Sequence, residues 1–230
     1  MLYTQEAVLA NIRNKDGKRV FYLGKGDNLT PGARDLLTRE RIPILPASEA
    51  RPQRFRLVGG GYLEEKPEHM TQLNADTLVS KLHPRIAFRG ALDTLEAELI
   101  LAQQAVQQPF RDELEDILSL ARKIMQCDVL QTPLEDLPLC GLTEEEQRRR
   151  SHRPQDYYGQ PHFMPSAADG AGIARLNRAR CAAREAELRC IAAFSNRDGD
   201  LTRQDIPRAM NRLSSMLYIL MIRLKAASAK

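Results

Sequence analysis

Residues 179–187 read ARCAAREAE and residues 210–218 read MNRLSSMLY, and the rest of the chain is interpreted around these two runs. Residues 174–194 have an unbroken helix-forming composition, which predicts one long helix. In that helix Arg180, Arg184 and Glu187 fall at i, i+4 and i+7 and share one face. An adjacent face carries the apolar residues that we expect to point inward: Leu176, Ala183, Ile191 and Phe194.

The two arginines on this helix admit two interpretations. Planar guanidinium groups one turn apart match a polyphosphate, whose oxygens accept paired hydrogen bonds. The same spacing fits an exposed helix face on which Arg184 and Glu187 form an i, i+3 pair of only about 0.2–0.5 kcal/mol. Because arginine is common on helix surfaces, spacing alone favours the second interpretation.

Composition places the 230-residue chain among ordinary globular proteins of one or two domains, with 43% hydrophobic and 28% charged residues. The net charge is only +4 and arginine is interspersed with acids, so we expect no nucleic-acid partner, although a local anion site stays open. The longest apolar run, residues 216–222, is too short to cross a bilayer. Four cysteines without metal spacing, and no signal-peptide pattern, predict a cytoplasmic protein with reduced thiols and no membrane association.

The first 66 residues differ in texture from the rest and predict a small α+β module. Thr4 and the Thr30-Pro31 pair are helix-start signals. Strands are predicted at residues 19–23, 42–45 and 54–58, and the Pro- and Gly-rich stretch 43–67 is the best linker candidate. Gly24-x-Gly26 lacks the Gly-Lys-Ser/Thr of a phosphate loop, which indicates a turn.

Residues 67–230 are the second predicted domain, a mainly α bundle of three or four long helices. Apolar periodicity predicts helices from Pro84 up to Pro109, from Phe110 onward, and from Pro207 with Asp205 as its cap. A short charged helix is predicted at residues 143–150, inside a Pro-rich segment long enough to be functional. Residues 196–200 have the first spacings of a calcium loop but lack its glycine and glutamate, which favours a turn between helices.

These blocks together resemble the ATP:corrinoid adenosyltransferases. Leu176-x-x-Ala179-Arg180-x-x-x-Arg184-x-Ala186-Glu187, followed by N-R-L-S at residues 211–214, matches that family's order of motifs. Upstream, Ser80-Lys81-x-x-Pro84-Arg85 and Gly90-x-x-Asp93 resemble the start of its first bundle helix, and L-T-P-x-A-R at residues 29–34 resembles the N-terminal extension of the ethanolamine-utilisation type. The resemblance implies a cobalamin adenosyltransferase-like helical bundle behind a small N-terminal α+β module.

The family's activity is what the resemblance implies for this chain. The 5′-deoxyadenosyl group of ATP is transferred to the cobalt of a reduced corrinoid, which makes adenosylcobalamin and releases triphosphate. ATP, Mg²⁺ and cobalamin are the implied cofactors. The implied assembly is a homo-oligomer, with a trimer favoured and active sites at subunit interfaces, in the cytoplasm or within a bacterial microcompartment whose proteins are then partners.

The resemblance also assigns roles to single residues. Arg180 and Arg184, helped by Lys81, stabilise the leaving triphosphate, and Asp93 pairs with Arg180 of a neighbouring subunit. In His162-Phe163-Met164-Pro165 the preferred aromatic under the corrin ring is Phe163, while a shift of one residue puts His162 there, where it would supply an axial ligand. The full set of implied nucleotide and corrinoid contacts is Thr71, Asn74, Asp76, Lys81, Arg85, Glu187, Asn211 and His162.

The chain departs from the family pattern at several positions. Asn74 replaces the glycine of the T-x-x-G-D phosphate loop at residues 71–76, and we expect asparagine to adopt the left-handed backbone there. Ser215 replaces the aspartate found in relatives of the propanediol-utilisation type, and Arg212 is interpreted as a surface charge.

A metal-binding histidine and cysteine cluster, typical of ethanolamine-utilisation relatives, is absent from residues 51–70, so no metal site is predicted there. These losses leave open a non-catalytic corrinoid carrier or microcompartment scaffold of the same fold. A helical RNA- or protein-binding adaptor is the third interpretation, and it requires the arginines to face solvent with no pocket beside them.

Overall fold

The computed structural model describes residues 1–15, 17–49, 55–63, 65–75, 77–136 and 138–228. By contacts between Cα atoms the chain divides into two compact units, Met1–Arg54 and Phe55–Lys230. Within the described ranges no helix has the length and apolar content that crossing a membrane requires.

The N-terminal unit is the predicted small α+β structure. Its elements are β1 (Leu2–Tyr3), α1 (Gln5–Asn11), β2 (Arg13–Lys15), β3 (Lys18–Leu23), β4 (Asn28–Leu29), α2 (Pro31–Arg39) and β5 (Ile44–Pro46). β1 pairs with β4 in parallel, while β3 pairs antiparallel with β2 and parallel with β5. Thr4 and Thr30 cap the two helices, because each hydroxyl accepts a 3.3 Å hydrogen bond from a backbone N–H of the first turn. Both helix starts were correctly predicted.

A four-stranded sheet opens the second unit, in the order β7-β6-β9-β8. Its strands are β6 (Phe55–Leu57), β7 (Tyr62–Leu63), β8 (Met70–Asn74) and β9 (Thr77–Ser80). β6 runs parallel to β9, and the Arg56 guanidinium donates a 3.0 Å hydrogen bond to the Thr77 hydroxyl. The division between the two units, after Arg54, falls inside the predicted linker at residues 43–67. It precedes the boundary predicted at residue 66, since β6 and β7 belong to the sheet that leads into the bundle.

Four long helices of the described chain form the predicted bundle: α3 (Pro84–Gln104), α4 (Phe110–Leu130), α7 (Gly170–Phe194) and α8 (Asp205–Ser228). α3 packs on α4 and α7, and α8 completes the ring by packing on the same two helices. Between α4 and α7 the chain forms α5 (Glu144–His152) and α6 (Pro154–Tyr158), which pack against α8. The mainly α architecture predicted from the sequence is confirmed.

Two details of the helix predictions are corrected. Ile191 was expected inside but is 41% exposed, because Cys190 takes the inward position of that turn of α7. α8 begins at Asp205, so this residue does not cap the helix from outside. Its carboxylate accepts hydrogen bonds from the Arg203 guanidinium at 2.9 Å and from the Leu134 backbone N–H at 2.9 Å.

Residues 196–200 are the predicted turn between α7 and α8. The Asn196 side-chain oxygen accepts from the backbone N–H groups of Asp198 and Asp200, both at 2.9 Å. Because that oxygen is already occupied inside the turn, the structure supports a connector between two helices.

Candidate active site

The site is built on the side of α7 that carries the paired arginines. Arg180, Arg184 and Glu187 lie in one uninterrupted helix, so their spacing places them on one face. Arg180 and Glu187 are half-buried, whereas Arg184 is exposed. Across the described residues Arg184 has no hydrogen bond or ion pair, which leaves its guanidinium available to a ligand.

Two residues on one face of α8 contact the first and last residues of this arginine face, Arg180 and Glu187. The Asn211 side-chain amide donates to the Glu187 carboxylate at 3.2 Å. Two turns further along α8, the Tyr218 ring forms a cation–π contact with Arg180. The guanidinium carbon lies 5.2 Å from the ring centroid. Tyr218 was missed in the sequence, although its i+7 spacing from Asn211 places it on the same helix face.

A cavity of about 620 Å³ opens beside this pair of helices. Arg180 and Tyr218 line it together with Asn177, Met221 and the segment His162-Phe163-Met164-Pro165. Phe163 packs against the bundle core, with the Lys225 ammonium 5.7 Å from its ring centroid. Phe163 and Arg180 therefore line the same cavity. The resemblance assigns the first to the corrinoid and the second to the triphosphate.

His162 is held at both ring nitrogens. Its Nδ1 lies 2.6 Å from the Tyr218 hydroxyl oxygen, and its Nε2 lies 3.3 Å from the backbone carbonyl oxygen of His152. A carbonyl only accepts, so Nε2 carries the hydrogen and Nδ1 accepts from Tyr218. Since neither nitrogen has a free lone pair, this geometry counts against the alternative in which His162 supplies an axial ligand.

A second, polar cavity of about 340 Å³ lies between α5 and α8. Asn211 and Ser215 line its α8 side, while Arg148, Ser151 and His152 line its α5 side. Ser215, which replaces an acid of some relatives, is therefore a wall residue of this cavity. The carbonyl of His152 connects the polar cavity to His162 and so to the larger one.

The structure contradicts the interpretation of Arg212 as a surface charge. It is only 6% exposed, and its guanidinium forms an ion pair with Asp136 of the segment before α5. Asp136 also lies 3.5 Å from Arg208, one turn earlier on α8. The acid that pairs with Arg212 comes from a segment distant in the chain, so the local sequence carried no signal for this pair.

The predicted phosphate loop at residues 71–76 forms the end of β8. Thr71 pairs with Val79 of β9, and the register shifts between Gln72 and Asn74. The left-handed backbone lies at Ala75, with φ 27°, so the prediction that Asn74 adopts it is wrong. The Gln72 side-chain amide donates to the Ala75 carbonyl at 2.7 Å and closes this turn. Asp76 lies outside the described residues.

Arg85 and its neighbour Arg89 are engaged away from the arginine face. The buried carboxylate of Asp128 accepts 2.8 Å and 2.7 Å hydrogen bonds from Arg85 and Arg89. Arg89 also donates to the Leu73 carbonyl at 2.7 Å, which ties the end of β8 to the bundle. Because Asp128 already balances Arg85, this geometry counts against a role for Arg85 at the phosphates.

Lys81 and Asp93 are both at the surface. The Lys81 ammonium lies 3.0 Å from the Glu68 carboxylate, an exposed pair that a ligand can displace at little cost. Asp93 is exposed on α3, and within the described chain it has no ion-pair partner. Its pairing with Arg180 of a neighbouring subunit stays a prediction.

The four cysteines are free thiols, of which Cys127 and Cys190 are buried. Burial raises the pKa of the half-buried Cys140 thiol to about 12, so it stays protonated at neutral pH. Across the described residues no group of three or more His, Cys, Asp or Glu side chains is placed to hold a metal ion.

Comparison with known proteins gives a consistent result over nearly the whole chain. The model of the cobalamin adenosyltransferase family matches residues 61–224. The corrinoid adenosyltransferase EutT of Salmonella typhimurium is 33% identical over 95% of this chain and 90% of its own length. EutT of Escherichia coli K12 is 31% identical over the same shares.

Comparison with solved structures also finds a variant of a PduO-type ATP:corrinoid adenosyltransferase from Lactobacillus reuteri, complexed with cobalamin and ATP. Its TM-score is 0.49 at 18% identity, over 80% of this chain and 94% of that one.

Proposed function

Because the chain belongs to the cobalamin adenosyltransferase family, we propose that it transfers the 5′-deoxyadenosyl group of ATP to the cobalt of a reduced corrinoid. The products are adenosylcobalamin and triphosphate. One structural observation supports the assignment of the site: Phe163 and Arg180 line the same cavity, and one turn along α7 lies Arg184, which has no ion pair among the described residues. A corrin ring against Phe163 then lies next to groups suited to a polyphosphate.

The reaction is a nucleophilic substitution at C5′ of ATP. The Co(I) electron pair forms the cobalt–carbon bond, the C5′–O bond breaks, and its electron pair leaves with triphosphate. No proton is transferred, so the protein needs no general base. Its work is to orient the two substrates and to stabilise the charge that develops on the leaving group.

Arg184 and Arg180 supply that stabilisation in this proposal. Their guanidinium groups are always charged and bind phosphate oxygens in pairs, which lysine does not do. Asn211 and Glu187 border the same helix face, and we assign them to the nucleotide. Thr71 and Asn74 at the end of β8 and the exposed Lys81 are proposed phosphate contacts.

Phe163 provides the apolar surface on the corrinoid side. An aromatic ring below the corrin excludes a lower axial ligand from cobalt, and loss of axial ligands makes reduction of Co(II) to Co(I) easier. His162, with both nitrogens engaged, borders this pocket without coordinating.

Mg²⁺ is expected with ATP, and the fit of the described residues to it is limited. They contain no cluster of three or more metal-binding side chains, so the phosphate oxygens themselves would carry the ion into the site. No step of the reaction is assigned to it.

A homo-oligomer with interfacial sites, a trimer by resemblance, follows from the surface of α7 and from Asp93. Leu188 and Ile191 are 64% and 41% exposed, and they continue the stripe of Arg184 at i+4 and i+7. An exposed apolar stripe beside a charged site fits a subunit interface. Asp93 of one subunit is then the proposed partner of Arg180 in the next. The ethanolamine-utilisation relatives suggest a place in the cytoplasm or in a microcompartment.

The test is direct. Purified protein is mixed with ATP, Mg²⁺ and cobalamin under reducing conditions, and adenosylcobalamin is followed by its absorbance. A second measurement adds Co(II) cobalamin with ATP and looks for the spectrum of a four-coordinate cobalt. Corrinoid binding without product would instead indicate a carrier, an interpretation that the names of the relatives do not favour. Indifference to both ligands would reject the proposal.

A further inference from the structure

Tyr218 contacts both sides of the larger cavity. Its ring lies under the Arg180 guanidinium at 5.2 Å, and its hydroxyl bonds to His162 at 2.6 Å. The His162 and Tyr218 rings are nearly parallel, at 10°, with centroids 5.7 Å apart. One half-buried side chain on α8 therefore touches α7 and the segment that carries Phe163.

The contact with Arg180 orients that arginine. Within the described part of the chain Arg180 forms no hydrogen bond or ion pair. Its side chain is instead held by the cation–π contact with the Tyr218 ring. A guanidinium stacked on an aromatic ring keeps its N–H groups in the plane and free to reach phosphate oxygens. Within the described chain, the ring therefore contacts the arginine while its N–H donors stay available to a phosphate or to the neighbouring subunit.

The contact with His162 fixes the Phe163 segment. The hydroxyl donates to Nδ1, while Nε2 donates to the His152 carbonyl at 3.3 Å, so the imidazole bridges α8 and the end of α5. Burial raises the pKa of the Tyr218 hydroxyl, against the opposing effect of Arg180 and the Phe163 backbone, so the donor stays protonated. Because Phe163 follows His162 in the chain, these two hydrogen bonds also restrict the position of Phe163.

Resting on the proposed function, we propose that Tyr218 is a positioning residue that couples the corrinoid side of the site to its phosphate side. Entry of a corrinoid against Phe163 shifts or tightens the segment at residues 162–165, and the shared tyrosine passes the change to Arg180. Binding of either substrate then favours binding of the other, because thermodynamic coupling is reciprocal.

The experiment separates the two contacts of the tyrosine. Tyr218→Phe keeps the ring under Arg180 and removes the hydroxyl, while Tyr218→Leu removes both. Dissociation constants for MgATP and for Co(II) cobalamin are measured by calorimetry, each with and without the other ligand. The full-length protein is used throughout, and circular dichroism checks the fold.

For Tyr218→Phe we expect cobalamin to bind about fivefold more weakly, the loss of one hydrogen bond, with ATP affinity in the absence of cobalamin unchanged within twofold. The ratio of the ATP dissociation constants without and with cobalamin should fall from about fivefold or more toward one. Tyr218→Leu should additionally weaken ATP binding by about threefold or more. The exposed His162 offers a second variant, since His162→Ala cuts the same bond without touching the core, and it should reproduce Tyr218→Phe.

Tyr157→Phe is the matched control. Tyr157 is 46% exposed, also carries an arginine, Arg150, at 5.5 Å from its ring, and is not a lining residue of the cavity. It should behave as wild type in every measurement. If the wild type makes adenosylcobalamin but Tyr218→Phe and His162→Ala keep its full coupling ratio, the coupling role is overturned and the proposed function stands. A wild type that binds neither ligand overturns the proposed function itself.

Discussion

The Asn211 side chain on α8 donates a 3.2 Å hydrogen bond to the Glu187 carboxylate on α7, joining two motifs that are separate in the sequence. At the other end of the same helix pair, Tyr218 lies against Arg180. These two contacts add to the packing of buried apolar side chains between α7 and α8. Arg184 lies between them in the sequence of α7, and within the described chain it is the member of the face with no protein partner.

Replacing Arg184 should therefore reduce catalysis without reducing stability. In Arg184→Ala we expect kcat/KM for ATP to fall by about 10²–10³-fold, as for other donors that stabilise developing negative charge. Arg184→Lys should recover only part of this loss, because an ammonium does not form the paired hydrogen bonds of a guanidinium. Steady-state kinetics and urea unfolding of the same preparations check both statements.

Arg189→Ala is the control for that experiment. Arg189 lies on the same helix, and its Nε is 3.0 Å from the Glu185 carboxylate in an exposed pair. Its loss should leave kcat/KM within about twofold and stability within about 0.5 kcal/mol. Equal losses in the two variants would mean that Arg184 acts through helix stability or general charge, against the proposed role.

Local sequence was sufficient where local physics decides the structure. The spacing of Leu92, Leu95 and Leu99 gave α3, and all three are fully buried. Threonine followed by proline gave the start of α2. The motif with the paired arginines and the N-R-L-S motif predicted two helices of one site, and the structure places α7 and α8 in contact.

The sequence was insufficient where partners come from distant segments. The buried Arg212 pairs with Asp136 from the segment before α5, and Arg85 is balanced by Asp128 from α4. The importance of Tyr218 depends on His162, from a segment without regular structure. Propensity and periodicity describe neighbours along the chain, so they carry no information about such pairs.

The Asp128 carboxylate should be a major contributor to stability. It is fully buried and holds Arg85 and Arg89, whose side chains are each 14% exposed. Asp128→Asn leaves two partly buried guanidinium groups without their counter-charge, so we expect unfolding free energy to fall by about 3–5 kcal/mol. Because Arg89 also holds the Leu73 carbonyl, the KM for ATP should rise if the end of β8 contacts phosphate.

The comparison for that variant is Glu96→Gln, which breaks the surface pair of Glu96 with Arg122 at 3.2 Å. This change should cost under about 1 kcal/mol, since exposed pairs are screened by water. Urea unfolding followed by circular dichroism measures both. A small effect of Asp128→Asn would show that the Arg85 and Arg89 guanidinium groups are solvated well enough to lose the carboxylate.

The exposed apolar stripe on α7 should be required for assembly. Leu188→Glu places a charge on a side chain that is 64% exposed, so the subunit should fold normally while the oligomer dissociates. Light scattering on a sizing column should show a lower mass, with at least tenfold lower activity if Asp93 of one subunit completes the site of another. Leu130→Glu, at a leucine that is 60% exposed at the end of α4, should keep the wild-type mass. An unchanged mass for Leu188→Glu would place the interface elsewhere.

Asp205 should make stability depend on pH in the acid range. The Arg203 guanidinium, helped by the Leu134 backbone N–H, lowers the pKa of the Asp205 carboxyl to about 2 from its ordinary value of 3.8. Between these two values the unfolded chain binds more protons than the folded one, so lowering the pH favours unfolding.

The stabilisation from Asp205 is thus fully present above about pH 5, amounts to about 2 kcal/mol, and disappears as the pH falls toward 2. Asp205→Asn should be less stable than wild type by this amount at pH 7, and the two stability curves should converge near pH 2. Urea titrations at a series of pH values, with the same salt concentration, measure the gap. A constant gap across that range would mean that Asp205 acts through its hydrogen bonds alone and its charge is not linked to folding.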